Sequence, residues 1–188
     1  MSQRRVNPTT YRLHGIALVP VGVVREESLT VLKERLPEKF SGTTCRIAKM
    51  GIDLEGSYNP HSDQYYATRI LAALEKHAES VEEERVLGVT DLDLYVPNMN
   101  FVFGEARLPG RVAVISTHRL RENTPYGSER LFPERVIKEA VHELGHTLGL
   151  GHCKVVSCVM CFSNSLADTD RKGQDYCESC LRKLRGDR

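Results

Sequence analysis

No stretch of this sequence approaches 18 consecutive apolar residues, so it offers no membrane span. Neither sign of charge dominates: 26 Lys and Arg against 25 Asp and Glu leave a net charge of +1. That balance removes the electrostatic footprint a nucleic-acid partner needs. Residues 1–10 are polar and basic with no apolar core behind them, so the reading includes no signal peptide. A cytoplasmic, reducing location is the expectation, with neither membrane nor nucleic acid as partner and the chain a monomer. Tryptophan is absent, yet 40% hydrophobic and 27% charged residues are ordinary for a globular protein and exclude intrinsic disorder. There is no internal repeat and no low-complexity block. A chain of 188 residues is long enough to bury a core without covalent staples.

What is present first is an alternation of strand and helix patterns. Residues 14–24 and 43–50 read as strands, and 26–36 as a helix between them. The segment 51–60 carries two Gly and an Asn-Pro pair and reads as a loop. Tyr66, Ile70, Leu71 and Leu74 recur at helical spacing over 62–77, with Ser62 and Asp63 as candidate caps. Residues 85–96 read as a third strand. Residues 101–106 and 111–116 flank Leu108-Pro109-Gly110, a turn signal that makes them a hairpin. Residues 117–132 are polar and read as a surface loop. Residues 133–148 form a helix with Pro133 in its first turn. Beyond Gly149 the periodicity stops. The expected organisation is one domain over residues 1–150 and a short C-terminal piece, 151–188, folded onto it.

The helix over 133–148 carries His142-Glu143-Leu144-Gly145-His146. Residues four apart on a helix project from one face, so His142 and His146 can share one metal ion. Glu143 stands one step round the helix, placed to take a proton from an activated water. Gly149 and His152 follow at intervals of three. Glycine at a positive φ lets the helix stop and the chain turn, which brings His152 round as a third nitrogen ligand. Three protein ligands and an open fourth position are the plan of a catalytic zinc. HExxH alone arises by chance in roughly 0.5–1% of chains this long; adding Gly149 and His152 lowers that to on the order of one in 100,000.

Six cysteines would suggest disulfides in a secreted protein, but five of them, Cys153, Cys158, Cys161, Cys177 and Cys180, fall in the last 36 residues. In a reducing compartment such clustering points to metal. Cys177 and Cys180 form a CxxC pair, which favours tetrahedral zinc. The partner pair is either Cys158 with Cys161 or Cys153 with Cys158, and spacing slightly prefers the former. Cys153 adds a structural argument: neighbouring side chains in an extended segment point apart, so His152 can face one metal while Cys153 faces another. Cys45 lies in a predicted strand as a small apolar residue.

At these residues the sequence resembles a known family. HELGHTLGLGH over His142 to His152 looks like the extended zinc motif of the metzincin metalloproteases. The continuation Cys153, Cys158, Val159, Met160, Cys177, Cys180 is similar to the archaemetzincins in particular, and FVFGEARLPGRVAVIS resembles their strand pair before the active-site helix. The resemblance implies a zincin-like α/β (α+β) fold: a twisted, mostly parallel sheet with an antiparallel edge, two long helices and a small zinc-braced C-terminal subdomain. It implies two zinc ions. His142, His146 and His152 would hold the catalytic one, with Glu143 as general base. Cys153, Cys158, Cys177 and Cys180 would hold a structural one, leaving Cys161 spare. Met160 would lie in a Met-turn beneath the metal, an ordinary core methionine being the alternative. Cys161 and Phe162 follow Met160 where some metzincins place a tyrosine, so a tyrosine ligand or oxyanion donor is not expected. The implied activity is hydrolysis of peptide bonds in a peptide or protein substrate, with no motif choosing between endopeptidase and aminopeptidase. A two-zinc scaffold with a dormant site and hydrolysis of a non-peptide amide are the rival readings.

Overall fold

The runs Gly15–Pro20, Arg85–Thr90 and Val112–Ser116 are apolar at nearly every position, a pattern stable only where both faces of a sheet are covered. In the computed structural model, which describes residues 11–122 and 131–186, they are the central strands β1, β5 and β8 of a five-stranded sheet. With β2 (Thr44–Ile47) and β7 (Gly104–Ala106) the order is β2-β1-β5-β8-β7. All neighbours are parallel except β7, which runs antiparallel to β8 along one edge. Alternate residues divide between two cores. Ile16, Leu18, Leu87, Val89, Ala113 and Ile115 face helices α1 (Glu26–Lys39) and α3 (Phe132–Thr147). Ala17, Val19, Val86, Val112 and Val114 face α2 (Ala67–Ala78). The mostly parallel sheet with one antiparallel edge is therefore present as expected.

Several expectations shift. The helix read as 62–77 begins at Ala67, because Gln64–Tyr66 is spent as strand β4 of a second, three-stranded sheet with β3 (Tyr58–Asn59) and β6 (Leu94–Tyr95). Ser62 and Asp63 are thus not caps; Asp63 has φ 54 and its carboxylate accepts from the Tyr58 hydroxyl at 2.9 Å, inside the tight turn of that hairpin. The strand read as 85–96 is two strands, since the chain leaves β5 after Thr90 and re-enters the small sheet at Leu94. The first helix runs past Leu36 through Pro37 to Lys39, so the long helices number three among the described residues. A proline in the last turn forfeits one backbone bond, and the wholly buried Phe40 anchors the exit. Of the loop read as 117–132, Arg119–Arg121 is a short 3₁₀ turn and residues 123–130 lie outside the described ones. No helix among the described residues is long and apolar enough to cross a membrane.

Helix α3 is buried almost all round, including Arg135, Lys138, Glu139 and Glu143. Such charges stay buried only when paired. The C-terminal helix α4 (Leu166–Arg171) and Lys172 just after it supply partners for the first three. Arg135 grips Asp170 with bonds of 2.6 and 2.8 Å, Lys138 donates to the Thr169 and Asp170 carbonyls, and Lys172 lies 3.0 Å from Glu139. Helix α5 (Glu178–Arg185) completes the chain. Val159, Met160, Tyr176 and Leu181 share one buried cluster with α1, α3 and the sheet.

Met160 is fully buried and packs on the turn of α3 that separates His142 from His146. A Cβ added at Gly145 would overlap Met160 Sδ and come 3.0 Å from the Tyr176 ring. Gly145→Ala should therefore destabilise the fold by about 1–3 kcal/mol, as overpacking does. Equilibrium urea unfolding measures it; an unchanged midpoint would show that Met160 does not seat against this turn.

Candidate active site

Helix α3 ends in a Schellman turn. Leu150 N donates to Gly145 O at 3.0 Å and Gly149 N to His146 O at 2.9 Å, with Gly149 at φ 92. The same turn presents the Leu150 carbonyl to His146, whose Nδ1 lies 2.7 Å from it. His142 Nδ1 lies 2.8 Å from the Val159 carbonyl. A carbonyl only accepts, so both Nδ1 atoms carry the proton and both Nε2 atoms present a lone pair. Those two Nε2 atoms face each other at 3.0 Å. His152 joins them after the turn, and one ring nitrogen from each of the three lies within 4.8 Å of the others. Burial first, then the Lys172 charge, lowers the pKa of His142 and His152; burial also lowers that of His146. All three are held neutral, the form in which imidazole binds metal. Zn–N distances of about 2.0–2.1 Å set tetrahedral nitrogens about 3.3 Å apart, so the cluster fits zinc with minor adjustment.

Glu143 is buried on the floor of a cleft of about 370 Å³ that the three histidines also line. Burial first, and then the carboxylate of Glu139, push its pKa well up, while Lys172 opposes the shift. The edge strand β7 lies directly over it: a Cβ on Gly104 would sit 2.6 Å from Glu143 Cγ and 2.7 Å from the Val114 carbonyl. Phe101, Phe103, Leu108 and Phe162 make the walls apolar. The Phe162 ring lies 4.9 Å from that of His152. Tyr176 is buried beneath α3, its hydroxyl donating to the Val141 carbonyl at 2.8 Å.

The structure brings four of the clustered cysteines together. Cys153, Cys158, Cys177 and Cys180 converge, their sulfurs within 4.8 Å of one another, while Cys161 stands outside the group. Cys153 and Cys177 are 3.7 Å apart and Cys158 and Cys180 are 3.8 Å apart. A disulfide would need about 2.05 Å, whereas sulfurs on a tetrahedral zinc at about 2.3 Å stand about 3.8 Å apart. Burial works against ionising Cys177, but the Ser179 hydroxyl, the Cys180 amide and the neighbouring thiols bring it down to about 6. Burial raises Cys158 and Cys180 instead. Cys45, away from both clusters, is raised to about 12 by burial and stays a thiol.

The profile of Peptidase family M54 matches residues 29–186. The archaemetzincin of Methanocaldococcus jannaschii is 44% identical over 173 residues, covering 90% of this chain and 92% of its own. The chain belongs to peptidase family M54. As a member it is a zinc metalloprotease of the archaemetzincin type. The crystal structure of the Methanopyrus kandleri archaemetzincin matches with a TM-score of 0.80 at 36% identity, covering 97% of this chain and 98% of that one. That of a zinc-dependent peptidase from Methanocorpusculum labreanum gives 0.75 at 29% identity, covering 90% and 100%.

Some site residues of this M54 chain carry no motif. Glu139 lines the cleft from α3, Lys172 pairs with it only through the docking of α4 on α3, and Tyr176 stands out only as the neighbour of Cys177. Gly104 did leave a signal, because an isolated glycine in a strand pattern marks a close approach. Gly104→Ala should keep the zinc and lower kcat on the order of 100-fold, the effect of displacing a catalytic group by about 1 Å. Zinc content and steady-state kinetics check it together, and unaltered kcat would separate β7 from the placement of Glu143.

Proposed function

We propose that this chain hydrolyses peptide bonds at a zinc held by His142, His146 and His152, and that a second, structural zinc occupies the four cysteines. One observation carries the first part. Two neutral imidazoles aim lone pairs at each other across 3.0 Å, an arrangement that is repulsive until a cation lies between them. The sulfur separations of 3.7 and 3.8 Å support the second.

When bound, zinc supplies Lewis-acid polarisation of the scissile carbonyl and acidifies the attacking water. The chain supplies the rest. Glu143 takes the proton of the attacking water and delivers it to the leaving amine. The apolar walls of the cleft exclude bulk water and strengthen the interactions inside it. The edge strand β7 receives an extended peptide as one more strand, with backbone hydrogen bonds setting its register. Cys153 and Cys158 hold the two ends of the loop that presents His152 and the Val159 carbonyl, so the cysteine cluster fixes the histidine geometry.

Glu143→Ala should retain two zinc ions per chain and lose at least about 100-fold in kcat, the low end of what general-base catalysis contributes. Elemental analysis alongside peptide-library cleavage tests this. Full turnover in the variant would remove Glu143 from the chemistry, and no turnover even in the wild type would favour a dormant scaffold. Cys153→Ser should lose one zinc and most activity, whereas Cys161→Ser should keep both. Zinc lost from Cys161→Ser instead would overturn the ligand set.

A further inference from the structure

The edge strand does more than offer a backbone. In an antiparallel pair, residues alternate between those bonded to the partner strand and those whose N–H and C=O point away from it. Arg107 N donates to Val112 O at 3.1 Å and Ser116 N to Phe103 O at 2.8 Å, so the odd-numbered residues of β7 are turned toward β8. The even-numbered ones point outward. Val102 shows it directly, its outward N–H donating to Leu94 O at 2.9 Å in the small sheet. Gly104 and Ala106 then carry the outward groups over the cleft.

A peptide bonded to Gly104 and Ala106 places its intervening residue opposite Glu105. That is a non-hydrogen-bonded pair, the kind in which facing side chains come closest, and facing residues project from the same side of the sheet. Gly104 projects toward Glu143. Glu105, level with Val114, projects to the other side, toward α2. There the Thr68 hydroxyl lies 2.8 and 2.9 Å from its two oxygens and fixes the carboxylate. The next residue on that side, Arg107, is already held by Glu75 through two bonds of 2.8 Å. Among the described residues no Lys or Arg lies within ion-pair distance of Glu105, although it lines the cleft with Thr68, Val96 and Met99.

We propose that Glu105 selects a Lys or Arg side chain at the substrate position that faces it across the β7 edge. The aliphatic stem of such a side chain lies along Val96 and Met99, and its cationic end meets the carboxylate that Thr68 orients. The inference rests on the peptidase reading and on peptide addition to β7. It goes beyond them by assigning a charge preference to one position, adjacent to the residue that lies over Glu143.

The test uses the zinc-loaded full chain and a positional library of N-acetylated, amidated peptides in which Lys is compared with norleucine. One position should favour Lys roughly tenfold in kcat/KM, the ratio that one charge-assisted hydrogen bond supports. Glu105→Gln, which keeps the Thr68 contact, should reduce that ratio to about one. Glu105→Lys should reverse it in favour of Glu at the same position. A second readout is fluorescence anisotropy of the same peptides on Glu143→Ala, with and without Glu105→Gln. Cleavage without a basic preference, or a preference that survives Glu105→Gln, overturns the inference and leaves the peptidase reading standing. Glu105-dependent binding without any cleavage supports the inference and overturns the peptidase reading.

Discussion

Two imidazole lone pairs facing each other at 3.0 Å are the constraint around which this molecule is arranged. Each is held there by a carbonyl on the far nitrogen, from Val159 for His142 and from Leu150 for His146. Neither carbonyl belongs to the helix that carries the histidines. The Leu150 group is delivered by the Schellman turn at Gly149, and the Val159 group by the cysteine-rich segment beyond it. Helix periodicity puts His142 and His146 on one face; only the chain after the helix fixes which nitrogen each presents. Three successive residues divide the labour there. Cys158 joins the sulfur cluster, Val159 orients His142 through its carbonyl, and Met160 packs under the turn between the two histidines.

A second constraint is electrostatic. Glu139 is buried one turn before Glu143, and its carboxylate is one of the groups that raise the pKa of Glu143. Lys172 lies 3.0 Å from Glu139, meeting it as an ion pair, and Thr169 adds a hydroxyl at 2.9 Å. The pair neutralises Glu139 locally while leaving a positive charge near all three histidines. That charge opposes their protonation and so keeps their lone pairs available. Helix α4 thus acts as a latch whose charges set the character of the cleft without entering it. A latch made of buried pairs contributes little net stability, but removing one partner leaves an uncompensated charge.

The central strands, the hairpin at the sheet edge and the helix bearing His142 were legible because each is a local pattern: a doubly buried apolar run, a turn tripeptide, a 3.6-residue period with proline at its start. The second sheet was not. Its strands have two or three residues, too few for a period, and Gln64–Tyr66 runs straight into the apolar face of α2, so the helix pattern absorbed it. Spacing slightly preferred Cys161 to Cys153, and only the path of the chain around the third histidine brings Cys153 rather than Cys161 beside the other three. Lys172 carried no signal at all, since a lone lysine in a polar tail reads as solvated until the tail is seen to fold back on α3.

The antiparallel edge shows why the sheet ends as it does. A parallel strand in that place would need a crossover of a dozen or more residues across a face of the sheet. A short antiparallel strand reached by a hairpin leaves its outer groups open over the metal-binding face. Edge strands left open invite unwanted pairing, and proteins blunt them by keeping them short or charging them. Here β7 has three residues, and Glu105 charges its middle. The small sheet takes up Val102 just before it and the Leu108–Gly110 turn follows just after. The exposed edge is thereby confined to the stretch that lies over Glu143. The feature that protects the chain from pairing with its own kind also leaves one short open edge over the cleft.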